Sequence, residues 1–188
     1  GRWSKKFTGK RVIEIGCGHG HHLLYGEQDY KNYIGLDIEY KYTTTLQSRY
    51  ENASVVNGDA YQLPFADNSA DAVLSIYNLE HLKQLNAGLK EIYRVLKPEG
   101  ELLIGLPAEG GFSYNLGRNL TSKPYMEKKY GIDYDAVVHY EHCNTFDDIV
   151  KCLKRNYEII NRRYIPFPFL PSVHFNVIIC LRTKKKVK

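Results

Sequence analysis

Glycines at every second position, Gly16, Gly18 and Gly20, follow directly on a short apolar run, Val12 to Ile15, that carries a single acid, Glu14. Such a run reads as a buried parallel strand, and the glycines read as a tight turn where backbone must come very close to a ligand. Cys17 and His19 stand between the glycines, and His19 is expected to line the loop beside that ligand. Asp37 closes a second apolar run 21 residues after Gly16, about the separation at which a carboxylate accepts hydrogen bonds from ribose hydroxyls. Ile38 follows it, and Glu39 is the weaker candidate for the same task. Asp37 also reads as a helix N-cap, because Tyr40 to Tyr50 is compatible with a helix. The dinucleotide fingerprint G-x-G-x-x-G requires glycine where His21 stands, which disfavours a nicotinamide oxidoreductase.

Imidazoles form the second group. His81, His139 and His142 are candidate catalytic bases because the ring titrates near neutral pH. None has a context that singles it out, and Leu79 to Leu82 reads equally well as packing. His19, His21 and His22 resemble a metal cluster at first sight, but helix neighbours one apart do not share a face, and no acid or cysteine is spaced to complete a shell. No metal is expected. Cys17, Cys143, Cys152 and Cys180 make no C-x-x-C pair and read as reduced packing residues.

The elements that would position these groups alternate. A short helix is expected over 21–28, a second strand at 33–39, a third at 53–57, a fourth at 72–76, an amphipathic helix at 85–97 with Leu89, Ile92, Tyr93 and Leu96 at helical spacing, and a fifth strand at 101–106 after a break at Lys97 to Gly100. Thr145 caps a helix running to about Arg155, and two last strands follow at 157–163 and 175–182. This is an α/β pattern. Residues at the carboxyl end of strand four, Tyr77 among them, face the crevice beside strand one where both ligands of an open sheet would meet.

The run E-x-G-x-G-x-G from Glu14 to Gly20 is similar to the first motif of class I S-adenosylmethionine-dependent methyltransferases, and R-V-L-K-P-E-G-E-L-L-I at 94–104 resembles that family around its fifth strand. The likeness, of the broad type 11 group, covers roughly residues 10–106. It implies a Rossmann-like, doubly wound seven-stranded sheet in the order 3-2-1-4-5-7-6 with strand 7 antiparallel. It implies S-adenosyl-L-methionine as cofactor, held by Glu14, Gly16, Cys17, Gly18, His19, Gly20, Asp37, Ile38, Asp59, Ala60 and Tyr77. Within that set Asp59 would bond the adenine amino group, the Ala60 amide would serve adenine N1, and Leu63 would cover the ring. Asn57-Gly58-Asp59 is also simply a good turn.

The resemblance also narrows the reaction. Ser75-Ile76-Tyr77-Asn78 replaces the D-P-P-Y or N-P-P-Y of amino-directed nucleic-acid enzymes, and no P-C dipeptide supplies a cytosine-directed nucleophile, so DNA-base methylation is disfavoured. The expected activity is methyl transfer to a small-molecule or carbohydrate-type acceptor, with an RNA or protein methyltransferase and a non-catalytic cofactor-binding partner subunit as alternatives. Residues 107–144, rich in glycine and aromatics and containing Arg118, Lys123, His139, Glu141 and His142, read as an insert covering the substrate.

Composition sets outer bounds. With 188 residues, 43% of them hydrophobic, the chain suffices for one domain with a proper core. The net charge of +5 comes from Arg182, Lys184, Lys185, Lys186 and Lys188; without them 21 basic residues face 21 acidic ones. This tail at 182–188 reads as a solvated end, which weakens a nucleic-acid reading. No run approaches a membrane span and no signal-peptide layout opens the chain, so a cytoplasmic location is expected. The acceptor, the methylated atom and the oligomeric state are not legible.

Overall fold

The computed structural model describes residues 9–20, 23 and 32–186. The sheet grows outward from β1 (Val12–Ile15), whose four residues are all buried. β1 lies parallel to β2 (Tyr33–Asp37) on one side and to β4 (Ala70–Ile76) on the other, and β3 (Ser54–Asn57) adds to β2. β5 (Leu96–Pro107) runs parallel to β4, and β7 (Ile178–Lys185) inserts antiparallel between β5 and β6 (Tyr157–Ile165). The order is β3-β2-β1-β4-β5-β7-β6, as the resemblance implies. The chain passes from β1 to β2 on one side and from β4 to β5 on the other, and this reversal opens the crevice at the carboxyl ends where α/β sheets place their ligands.

Alternation along β1 divides the core. Ile13 and Ile15 join Val73, Leu89, Ile92, Ile149 and Leu153 under α2 (Leu85–Val95) and α6 (Phe146–Asn156). Val12 faces the other way and packs with Tyr33 and with Leu46 of α1 (Tyr40–Arg49). Helix α6 starts as expected: the Thr145 hydroxyl accepts from the Asp148 amide while the Asp148 carboxylate accepts from the Thr145 amide, a reciprocal capping box.

Several boundaries differ from the sequence pattern for physical reasons. Helix α2 ends at Val95, and Leu96 already belongs to β5; pairing jumps from Ala70↔Leu96 to Ala72↔Glu101, so Lys97 to Gly100 is an irregular stretch within the strand rather than a break before it. Pro98 is tolerated there because it owes the ladder no donor. The last strand begins at Ile178, three residues later than its apolar run suggests, because Val173–Phe175 forms a 3-10 turn.

The residues read as a basic tail are largely strand. Arg182 makes two bonds to the buried Glu101 carboxylate, of 2.5 and 2.7 Å, and Lys185 lies 4.5 Å from the centre of the Tyr93 ring. The segment 107–144 contains three short helices, α3 (Phe112–Leu120), α4 (Ser122–Tyr130) and α5 (Tyr134–Glu141). The expected helix at 21–28, and with it His21 and His22, lies outside the described residues. Among the described residues no helix is long and apolar enough to cross a membrane.

Candidate active site

The glycine turn owes its shape to backbone bonds. The amides of Gly16 and Cys17 both donate to the Leu36 carbonyl, at 2.9 and 3.1 Å, pinning the end of β1 to β2, and the Gly20 amide donates to the Cys17 carbonyl at 3.0 Å. Gly16, Gly18 and Gly20 all take positive φ, of 70, 51 and 70°, a region costly for residues with a Cβ. Their surroundings differ. A Cβ on Gly16 would lie 2.4 Å from Asn78 Oδ1, one on Gly20 would press on Leu46 and Leu23, and one on Gly18 would meet nothing within 4 Å. Thus Gly16 permits β1 and β4 to close on one another, Gly20 permits packing under α1, and Gly18 faces open space.

Asp37 joins the two strands electrostatically. Its Oδ2 accepts from the Gly18 amide at 2.9 Å and its Oδ1 from the Glu39 amide at 3.0 Å. It does not cap α1: Glu39 is the N-cap, and no side chain caps that helix. A carboxylate offers about four lone-pair sites, so acceptor capacity is left for further donors. Glu14 is buried on the α1 side of β1, where its Oε2 accepts from the Tyr33 hydroxyl at 2.5 Å. Burial, with the Glu14 and Asp37 charges adding to it, pushes the Cys17 thiol far above its usual range, so Cys17 is a neutral packing group.

A cavity of about 1120 Å³ opens at this rim. One wall is Glu14, Gly16, Cys17, Gly18, His19, Asp37 and Ile38; Ile76, Tyr77, Asn78 and His81 supply the floor after β4; Lys83, Tyr140, Glu141 and Ile178 close the far side. Tyr77 holds φ of 52° while its amide donates to the Gly105 carbonyl at 2.9 Å. A left-handed aromatic residue is a strained conformation of the kind that clusters at functional sites. Asp59 and Ala60 are not brought into the wall. Asp59 instead accepts from the Tyr61 amide at 2.8 Å, the local turn that Asn57-Gly58-Asp59 also suggested.

The three histidines separate. His139 is exposed on α5 and lies outside the cavity wall. His81 lines the cavity, and its Nδ1 sits 3.1 Å from the Glu141 carbonyl. A carbonyl can only accept, so Nδ1 carries the hydrogen and Nε2 keeps its lone pair. His142 lies behind it, with ring centroids 4.5 Å apart and the planes nearly perpendicular. His142 Nδ1 bonds to Glu109 Oε1, which also accepts from the Tyr114 hydroxyl at 3.1 Å.

These partners act differently on the two rings. Glu109 raises the His142 pKa, whereas burial and then the His142 charge lower that of His81. The two rings are thus shifted in opposite directions, His142 toward holding its proton and His81 toward losing it. Beside them Glu80 is 2% exposed, its Oε2 has no hydrogen-bond partner among the described residues, and burial raises its pKa to about 7. Asn144 fixes the turn that carries them, donating from Nδ2 to the carbonyls of Leu79 and Leu82 at 3.0 and 2.7 Å and from its amide to that of Glu80 at 3.1 Å.

Sequence reasoning missed Asn78, Glu80, Glu109 and Asn144. The adjacency of Glu80 and His81 just after β4 was the available signal for one of them; the other three act on partners far away in the chain.

The family profile described as "Methyltransferase domain" matches residues 13–104. A probable S-adenosylmethionine-dependent methyltransferase of Mycolicibacterium smegmatis is 28% identical over 128 residues, 68% of this chain and 49% of that protein. A fatty-acid O-methyltransferase of the same organism is 37% identical over 99 residues, 50% of this chain and 36% of that protein. This chain therefore spans about half the length, or less, of these curated relatives. A crystal structure of an S-adenosylmethionine-dependent methyltransferase from Aquifex aeolicus superposes with a TM-score of 0.66 at 16% identity, covering 97% of this chain and 87% of that one.

Strand order, glycine rim and profile agree: residues 13–104 are similar to the methyltransferase domain family, and the cofactor that this likeness implies is S-adenosyl-L-methionine. The residues present fit that group, since Gly18 leaves room beside a buried carboxylate with spare acceptor sites.

Proposed function

We propose that this chain transfers a methyl group to an oxygen on a small molecule with an apolar body, using His81 as general base. The observation that carries this reading is the His81 ring in the cavity wall, with Nδ1 committed to a carbonyl and Nε2 left to take a proton. When bound, the cofactor supplies an electrophilic methyl carbon on a sulfonium.

The chain's own residues do the rest. Asp37 accepts from ribose hydroxyls, the open side of Gly18 admits the cofactor's chain, and Tyr77 and Ile38 bracket the shared crevice. His81 Nε2 removes the acceptor proton, a contribution of about 10²–10⁴ in rate for a positioned base, and burial, with His142 adding to it, favours the neutral form of that base. Tyr140 and Lys83, whose Nζ lies 5.4 Å from the Tyr140 ring centre, close the mouth and exclude water. In this reading the helices α3 to α5 form the acceptor cover of a single methyltransferase domain.

An apolar acceptor is favoured over a carbohydrate by Ile76, Tyr77 and Ile178 on the acceptor side of the cavity, and a relative carries the name fatty-acid O-methyltransferase. The test is incubation with methyl-labelled cofactor and cell extract divided into solvent-soluble, aqueous small-molecule, RNA and protein fractions. Label is expected in the solvent-soluble fraction and should require His81. Label confined to RNA or protein would replace this reading, and tight cofactor binding with no labelled product would make the chain a binding subunit.

A further inference from the structure

Two segments at the rim of the sheet display large apolar side chains to solvent. On α3, Phe112, Leu116 and Leu120 recur every fourth residue, so they share one face, and all three are exposed. In the β6–β7 connection Phe167, Phe169, Leu170 and Phe175 are exposed as well, Phe169 at 74%. Neither segment is a loose end. Asn176 is fully buried, and its side chain accepts from the Phe167 amide at 2.9 Å and donates to the carbonyls of Leu170 and Ser172 at 2.7 and 2.9 Å. The start of α3 packs directly on the 3-10 turn of that connection, where a Cβ on Gly111 would stand 2.1 Å from the Val173 carbonyl oxygen. The two therefore form one fixed platform. It lies at the end of the sheet where β5 finishes and β7 starts, the edge from which Ile178 reaches the cavity.

Charge within the two segments themselves has one sign. Residues 110–126 and 159–177 contain no aspartate or glutamate. Arg118 and Lys123 are neutralised by Asp135, but Arg162 and Arg163 of β6 and Lys128 and Lys129 of α4 have no carboxylate partner among the described residues. Apolar side chains held rigidly in solvent, with unpaired cations beside them and the neighbouring carboxylates Glu109 and Asp135 already partnered, match a surface that is apolar inside and negatively charged outside.

We propose that this platform docks on the surface of an anionic lipid bilayer, with Phe169, Leu170 and the exposed face of α3 entering the acyl boundary and the flanking cations, one of the two β6 arginines among them, on the headgroups. This goes beyond the acceptor reading and does not rest on it, because the contact requires no turnover. The test is sedimentation of the full chain with vesicles of phosphatidylcholine mixed with phosphatidylglycerol, against vesicles of phosphatidylcholine alone. The protein is expected to partition onto the mixed vesicles, to be released severalfold by raising ionic strength from about 0.05 to about 0.5 M, and to lose at least about tenfold in partitioning with Phe169→Ser and Leu170→Ser together.

Those side chains project into solvent, so the double variant keeps the wild-type thermal midpoint and the wild-type heat of S-adenosylhomocysteine binding. Wild-type protein that ignores both vesicle types, or a double variant that binds as well as wild type, overturns the proposal. So does sedimentation velocity showing that the same substitutions abolish a self-dimer while vesicles are ignored, since a second copy of the chain is then the occupant.

Discussion

The two halves of the cavity wall are built differently. On the cofactor side, position is set by main chain: three glycines at positive φ, amides of β1 bonded to a β2 carbonyl, and a buried aspartate bonded to the amides of Gly18 and Glu39. On the far side, α5 reaches the cavity through Tyr140 and Glu141, and α5 with its neighbours α3 and α4 contains no buried residue and is tied down by side-chain pairs, Arg118 and Lys123 to Asp135 and His142 to Glu109. Backbone geometry fixes an unvarying ligand and tolerates almost no change. Side-chain ties on exposed helices can be exchanged cheaply, which suits the acceptor cover we propose for them.

The harshest challenge to this contrast is Gly16→Ala. The new Cβ would meet Asn78 and sit at φ 70°, and strain with overpacking costs roughly 2–4 kcal/mol. Calorimetry is expected to show S-adenosylhomocysteine affinity down by at least about tenfold; near wild-type binding would mean the rim does not depend on its backbone path.

Across the cavity, His81→Gln is expected to lower turnover by about 10²–10⁴ while cofactor affinity stays within about twofold, and His139→Ala is expected to change neither. Equal losses in both histidine variants would erase the distinction between the wall and its exposed surroundings. Because the His81 pKa is lowered, wild-type turnover should hold at its plateau through neutral pH and fall only below the ordinary imidazole range.

Buried Glu80 sharpens the comparison through pH. Its folded pKa of about 7 exceeds the ordinary 4.5, so its stabilising contribution is complete below about 4.5 and is lost as pH rises toward and through 7. His142, also raised, acts in the same direction above the ordinary imidazole value. The urea midpoint of wild type should thus decline from about pH 4.5 to about pH 7, and Glu80→Gln should flatten that decline, the carboxylate accounting for ~3 kcal/mol. An unchanged pH profile in the variant would place the titrating group elsewhere.

Asp135→Asn carries the smallest expected effect. Exposed pairs contribute little to global stability, so the urea midpoint should not move, yet amide exchange across 112–141 should quicken while β1, β2 and β4 exchange as before. Uniform quickening would show that both halves open together.

The sequence by itself determined the glycine turn and the alternation of strands and helices, while the order of the sheet came from the family resemblance those motifs carry. Glu14 to Gly20 and the spacing to Asp37 are local demands of a strand, a turn and a second strand, and they leave a readable pattern within some two dozen residues. Even so, it took coordinates to show that Gly16 serves Asn78 and Gly20 serves Leu46, and that Asp59 turns back on its own loop.

Which histidine faces the cavity was decided only in three dimensions. His81 gains its tautomer from a carbonyl 60 residues away, and His142 its raised pKa from a carboxylate 33 residues away; no spacing rule links them. The same holds for the apolar platform, where a buried asparagine and a glycine contact join two segments that look unremarkable alone. Pairings between distant segments depend on how the sheet carries them together, and that information is not local to any stretch of the chain.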